Sequence, residues 1–151
     1  MNVHQQLANK IRVLAIFCLE KRGKCFAGMT PATLFKYVAF HLLNGSLFVQ
    51  RDESGGVQMV VFVWREHSCD LLAREAAGLP QFFWQMPPAG GDAVLIGAVI
   101  GERRWMPQIL QQVTAHIPES PRLFTYRHRD GKPKLSEITW PSLRRFTYGT
   151  T

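Results

Sequence analysis

Cysteine is scarce in this chain. The three cysteines, Cys18, Cys25 and Cys69, form no CxxC pair, and their number is odd. Both features argue against a disulfide framework and against a cysteine-based zinc site. Cys18 lies on the apolar side of a predicted helix, so we expect a small buried side chain there. For Cys25 and Cys69, a structural role and a nucleophilic role stay open.

The chain also lacks a long apolar segment. Its longest apolar run, from Ala93 to Ile100, has eight residues, whereas a helix needs about 20 apolar residues to cross a bilayer. Lys10 and Arg12 interrupt the apolar pattern of the first segment, and no signal-peptide cleavage motif follows it. We therefore expect no membrane span and a cytoplasmic protein.

Acidic residues are few compared with basic ones. The chain has 18 Lys and Arg against 11 Asp and Glu, which gives a formal net charge of +7. Part of this excess forms a predicted basic patch near the C-terminal end: Arg122, Arg127, Arg129, Lys132 and Lys134. Such a surface attracts polyanions, namely nucleic acid, a phosphorylated cofactor or an acidic carrier protein. An ordinary solvated surface is a further alternative, and charge alone does not select among the four.

Recognisable catalytic and metal motifs are missing. The five histidines are scattered, without HExxH or a similar spacing, and no carboxylate stands at a telling distance from any of them: His4, His41, His67, His116 and His128. We therefore predict no metal site. No GxSxG element occurs either, so a nucleophilic triad is not indicated. The catalytic residues stay unassigned at this stage.

What the chain does have is regular periodicity over a length of 151 residues, which suits one domain, 1–151. Helical patterns cover about 4–21, 31–43, 68–77 and 106–116; strand patterns cover 46–51, 57–65, 93–100, 122–127 and 134–139. Segment 81–86 fits either a strand or a loop, and the tail 140–151 is expected to be flexible at its end. We take Thr30 and Ser68 as N-caps. The predicted fold class is α/β (α+β), with a central mixed twisted sheet and helices on both faces.

The most informative segment is the strand–helix–strand unit from Asp92 to Leu123. Its strand ends abruptly at Gly101, and Arg103 and Arg104 follow before the helix. At such a crossover, a helix N-terminus and its free N–H groups can hold an anion. Arg103 and Arg104 could add charge-assisted hydrogen bonds. We therefore select Gly101, Arg103 and Arg104 as candidate cofactor-binding residues, against the alternative of a solvated turn.

The element order resembles the GNAT acyltransferase fold, and within it the RTX toxin-activating lysine acyltransferases. The strand Gly55–Trp64 resembles that family's strand ending in a Ser-Trp-Ala-like element. Gly91-Asp92, before a strand and a helix, resembles its central block. Arg122–Ile138, with Gly131-Lys132 and Leu135-Ser136-Glu137, resembles its closing block. The resemblance covers roughly Thr30 to Ile138.

This resemblance implies an acyl-CoA or an acyl carrier protein as cosubstrate, with no covalently bound cofactor. The catalytic pair of the family, a His and an Asp, is not matched. No histidine occurs between Arg22 and Gly28, and Gly97 or a neighbour stands where the Asp should fall. The GNAT pyrophosphate loop is also incomplete, since the segment from Gly101 to Pro107 has one glycine.

Two hypotheses from different classes therefore stay open. The leading one is an acyltransferase-like domain that binds acyl-CoA or acyl carrier protein, and either transfers the acyl group to an amine or is catalytically degenerate. The alternative is a small basic module without enzymatic activity, which binds nucleic acid or takes part in protein assembly. A homodimer is compatible with both hypotheses.

Overall fold

A computed structural model describes residues 2–22, 26, 28–78, 90–117, 121–129 and 132–138. These residues form an α+β fold, which confirms the predicted class. The helices are α1 (Val3–Lys21), α2 (Pro31–Leu43), α3 (Ser68–Ala76) and α4 (Met106–Ala115), with a short 3₁₀ turn at Arg103–Trp105 before α4. The strands are β1 (Leu47–Arg51), β2 (Val57–Glu66), β3 (Ala93–Gly101), β4 (Arg122–Arg129) and β5 (Lys132–Ile138).

Local sequence signals fix the ends of the first two helices. At the start of α1, the Asn2 side chain accepts the N–H of Gln5 at 2.8 Å, and the Gln5 side chain accepts the N–H of Asn2 in return. The predicted cap of α2 is confirmed, because Thr30 Oγ1 accepts the N–H of Thr33 at 3.2 Å. Gly45 follows α2 with a φ of +70°, the left-handed conformation that glycine adopts without strain.

The five strands form one mixed sheet in the order β1-β2-β3-β4-β5. Neighbouring strands are antiparallel, except that β3 and β4 are parallel. Parallel strands need a crossover, and the segment containing α4 supplies it. The carboxyl ends of β3 and β4 therefore lie at the same edge of the sheet, which we call the carboxyl edge.

Helices cover both faces of the sheet, as predicted. On one face, α1, α2 and α3 pack over a core that includes Leu14, Leu34 and Leu71 together with Phe62 and Trp64 of β2. On the other face, Ile109 and Val113 of α4 pack against the opposite side of the strands. The continuous apolar run of β2 follows from this arrangement, because the strand is buried on both sides.

One predicted cap is wrong. The N-cap of α3 is His67, and Ser68 is the first residue of the helix. The carboxylate of Asp92, from the segment before β3, accepts the Ser68 N–H at 2.8 Å and the Ser68 hydroxyl at 2.6 Å. These hydrogen bonds lower the pKa of Asp92. The side chain of Asp92, 24 positions away in the chain, thus caps the start of α3, which is the role that the sequence pattern assigned to Ser68.

The other boundaries differ by a few residues from the predicted ones. β4 extends to Arg129, β5 begins at Lys132, and Gly101 belongs to β3. The predictions for segment 81–86 and for the tail 140–151 lie outside the described residues. Among the described residues, no helix combines the length and the apolar character that a membrane span requires.

Candidate functional site

The parallel strands β3 and β4 separate partway along their length. They pair over four positions, from Ala93 with Arg122 to Ile96 with Thr125. Beyond this point, β3 continues to Gly101 paired with β2, and β4 continues to Arg129 paired with β5. Thr125 Oγ1 donates to the carbonyl of Ile96 at 3.3 Å where the shared ladder ends. We call the region between the two strand ends, where they no longer pair with each other, the split.

A β-bulge lies where the split begins. Phe62 pairs with Ala98 and Val63 pairs with Ile96, so Gly97 is an extra residue on β3. Such a residue interrupts the ladder and bends its strand, and bulges are frequent next to functional sites. A side chain at this position is excluded sterically, because a Cβ on Gly97 would overlap the six-membered ring of Trp64. The ring itself is held in the core, with 8% of the residue exposed.

We expect Gly97→Ala to destabilise the fold by about 1–3 kcal/mol, the usual cost of adding a methyl group to a filled core. Gly90→Ala is the matched control, because a Cβ on Gly90 would have no atom within 4 Å. Urea denaturation of both variants measures the free energies of unfolding. Equal stabilities of the two variants would show that the Trp64 ring does not restrict this position.

The corner at the end of β3 is the predicted anion site. Gly101 has a φ of +121°, and a Cβ there would overlap the backbone of Gln58 and Met59. Close packing of β3 on β2 therefore explains why residue 101 is a glycine. The Glu102 N–H donates to the Gln58 carbonyl at 3.3 Å, and the Trp105 N–H donates to the Glu102 carbonyl at 3.2 Å. The N–H groups of Arg103 and Arg104 lie in the first turn, where the helix itself provides no acceptor for them.

The two arginines of the corner are largely solvent-exposed. Arg104 Nε lies 2.8 Å from Glu102 Oε2, with 70% and 61% of the two side chains exposed. The Arg104 guanidinium also lies 5.3 Å from the centre of the Trp105 ring. Exposed ion pairs of this kind are weak, because water and salt screen both charges. A phosphate group could therefore replace the Glu102 carboxylate as the partner of Arg104.

The residues of the predicted basic patch lie in two separate parts of the sheet. Arg127, Arg129, Lys132 and Lys134 lie on the paired ends of β4 and β5, at the carboxyl edge. Because β3 also ends there, this basic hairpin lies across the split from the corner that carries Arg103 and Arg104. The topology thus places two features that are distant in sequence at the same edge.

Arg122 is separate from the other four. It begins β4, seven strand residues or roughly 23 Å from Arg129. Its guanidinium forms two hydrogen bonds with the carboxylate of Glu137, at 2.6 and 3.1 Å, and lies 5.1 Å from the centre of the Phe124 ring. The ion pair raises the pKa of Arg122 and lowers that of Glu137. Arg122 is therefore engaged within the sheet and does not contribute to the carboxyl edge.

A buried charge network lies on the α1–α3 face, and sequence reasoning missed it. The carboxylate of Glu66, at the end of β2, is 2% exposed. It accepts the Trp64 Nε1–H at 3.2 Å and forms an ion pair with Arg74 of α3. Tyr126 of β4 is close enough for the charges of Arg74 and Glu66 to act on it, while burial raises its pKa to about 12. The positions of Glu66 at the end of β2 and of Arg74 in the following helix are the only sequence signal that could have indicated this ion pair.

A second buried polar group lies deeper on the same face. His41 of α2 is fully buried, with Nδ1 2.6 Å from Ser46 Oγ. Its ring centre lies 4.3 Å from that of Tyr37 and 5.4 Å from that of Trp64. Within the described part of the chain, neither His41 Nε2 nor the Tyr37 hydroxyl has a hydrogen-bond partner. Burial lowers the pKa of His41 to about 4.

The remaining candidates do not converge on the split. Cys18 is buried in the core and Cys69 is exposed on α3. Among the described residues, no three His, Cys, Asp or Glu side chains lie in a group that could hold a metal ion. Comparison with known proteins gives no further guide, because no family model, no curated protein and no solved structure matches the chain significantly. The GNAT-like relationship therefore stays a prediction.

Proposed function

We propose that this domain binds the phosphopantetheine arm of an acyl carrier, either acyl-CoA or an acyl carrier protein, in the split between β3 and β4. One observation carries the proposal: the parallel strands separate after Ile96 and Thr125, and β3 has a bulge at the same point. In open α/β sheets, ligands commonly bind beyond the carboxyl ends of parallel strands, where the chain topology leaves a crevice.

The separated strands suit an extended ligand with amide groups. Backbone N–H and C=O groups that lose their ladder partner need another one when water is excluded. The pantetheine arm is a narrow chain with two amides, and it can bond to a strand edge as an added peptide strand does. Half-buried Val99 and Thr125 lie at the split on the α4 side. That side offers an approach for the arm, since α4 packs mainly over β1 and β2.

The charges around the split suit the phosphate end of the same ligand. Arg103 and Arg104 lie on the β3 side of the carboxyl edge, and the basic hairpin lies on the β4 side. The backbone donors at Arg103 and Arg104 add to these charges at the start of the helical turn. An acidic carrier protein would meet the same cations over a larger area. The cytoplasm, where such carriers are abundant, is the location that we propose.

The proposal concerns binding of the carrier. The resembled family has an Asp on its central strand, but Gly97 leaves no room for a side chain beside Trp64. Transfer of the acyl group to an amine is therefore a separate question. It is answered by incubating the protein with acyl-CoA and a lysine-rich peptide, and by measuring the peptide mass. An unmodified peptide together with measurable binding identifies a binding domain without transferase activity.

Isothermal titration with CoA and acetyl-CoA tests binding directly. We expect Arg103→Ala/Arg104→Ala to weaken CoA binding about tenfold, which corresponds to 1.4 kcal/mol. The matched control is Lys10→Ala/Arg12→Ala, which removes the same charge from exposed positions of α1. Equal affinities of the two double variants would remove the corner from the proposal. Absence of CoA and acyl carrier protein binding to the unaltered protein would refute the proposed function.

Nucleic-acid binding is the second candidate, and the basic hairpin at the carboxyl edge favours it. Base stacking on strand aromatics, however, is not available at Phe124, which is 1% exposed in the core. A mobility-shift series with single- and double-stranded DNA distinguishes the candidates. Binding that persists at near-physiological salt and weakens steeply as salt rises, without a CoA effect, would favour the nucleic-acid module.

A further inference from the structure

The split has a different environment on each face of the sheet. On the α4 side, Val99 and Thr125 are half-buried. On the α1–α3 side, Trp64 and Tyr126 lie next to Gly97 and the end of the shared ladder. A ligand arm that enters from the carboxyl edge reaches Gly97 at the closed end of the split. Any group attached to its tip must then turn toward one of these two faces.

The indole of Trp64 closes the α1–α3 side at this point. Its six-membered ring occupies the space that a side chain of Gly97 would otherwise take. Its Nε1–H donates a hydrogen bond to the carboxylate of Glu66, and this carboxylate forms an ion pair with Arg74. The indole belongs to an aromatic cluster, in which the His41 ring centre lies 5.4 Å from that of Trp64 and 5.1 Å from that of Phe62. The ring is therefore held by a neighbouring ring and at its polar edge.

We propose that Trp64 limits the length of the acyl group that the split accepts, so that the natural donor carries a short acyl chain. This inference rests on the proposed carrier binding. The bulge brings the closed end of the split directly against the indole, which leaves no depth for a longer acyl chain on the α1–α3 face. Removing the part of the ring that touches Gly97 opens a path toward the aromatic cluster.

The test is a titration series with CoA and with acetyl-, butanoyl-, hexanoyl- and octanoyl-CoA. A methylene group that leaves water contributes about 0.8 kcal/mol, or roughly a fourfold gain in affinity. For the unaltered protein we expect less than a twofold change in Kd from butanoyl- to octanoyl-CoA. For Trp64→Leu we expect Kd to fall at least tenfold over the same series.

Two further variants keep the test decisive. Trp64→Phe removes the fused ring that faces Gly97, keeps an aromatic core residue, and serves if Trp64→Leu does not fold. Phe26→Leu is the control for general loosening, because Phe26 is buried in the same core. A steep chain-length dependence in the unaltered protein, or an equal gain in Phe26→Leu, would overturn the role of Trp64 while leaving carrier binding intact. Failure of CoA and of every acyl-CoA to bind would overturn this inference, and failure of acyl carrier protein to bind as well would overturn the proposed function.

Discussion

Arg74→Ala is expected to lower the free energy of unfolding by roughly 2–3 kcal/mol, because it leaves the buried Glu66 carboxylate without its cation. Glu66 loses almost all contact with water in the fold, whereas 36% of the Arg74 side chain stays exposed. Breaking a wholly buried ion pair costs about 3–5 kcal/mol. The partial exposure of Arg74 places our value below that range, since water can replace part of the lost guanidinium.

The control for this prediction is a second Arg–Glu pair in the same chain. Arg104 and Glu102 form an ion pair that is exposed on both sides, so Arg104→Ala should leave stability unchanged within error. The double variant Arg74→Ala/Glu66→Gln should recover part of the loss, since a neutral amide needs no cation. Urea denaturation at pH 7 measures all four proteins. A loss in Arg74→Ala no larger than in Arg104→Ala would mean that Glu66 does not depend on Arg74.

The helices and most strands were predictable because their signals are local. Thr30-Pro31 marks the start of α2, and Asn44-Gly45 marks its end, from the conformational preferences of those residues alone. The unbroken apolar run of β2 is likewise a local signal, and it agrees with the burial of this strand on both faces. Errors arose where a distant residue takes part, as at Ser68, whose partner Asp92 approaches from the segment before β3.

The candidate site was predictable only at one corner. The sequence indicates a strand–helix–strand unit and therefore the position of Gly101, Arg103 and Arg104. The sequence does not reveal the register in which the strands pair, so the separation of β3 and β4 after Ile96 could not be inferred. The bulge at Gly97 depends on how β2 pairs with β3, and the contact of Gly97 with Trp64 depends on that same pairing. Tertiary packing thus determines the feature on which the proposed function rests.

The buried His41 makes stability depend on pH in a defined window. Burial lowers its pKa to about 4 in the folded protein, from an ordinary value of 6.5. A histidine with a lowered pKa binds its proton more readily when the chain unfolds. Its contribution to stability is therefore complete above pH 6.5 and is lost as pH falls toward 4. A shift of this size corresponds to about 3 kcal/mol, at 1.36 kcal/mol per pKa unit.

The groups around His41 do not titrate in this window. Its contacts are the hydroxyl of Ser46 and the rings of Tyr37, Phe40, Phe62 and Trp64. Burial raises the pKa of Tyr37 further above neutrality, so that hydroxyl stays protonated. Asp52 and Asp92 have lowered pKa values and act on stability at more acidic pH. Glu137 also has a lowered pKa and acts as pH falls below its ordinary value of 4.5, so among the described groups the loss from pH 6.5 down to 4.5 is assigned to His41.

Urea denaturation at half-unit steps from pH 7.5 to 4.5 measures this loss. The unaltered protein should lose stability with a slope that approaches one proton per molecule below pH 6. His41→Leu should lose the slope while being less stable at pH 7, because Ser46 Oγ loses its hydrogen bond with His41 Nδ1. His116→Gln, an exposed histidine on the other side of the sheet, should retain the slope. The same slope in His41→Leu as in the unaltered protein would show that another group binds the proton on unfolding.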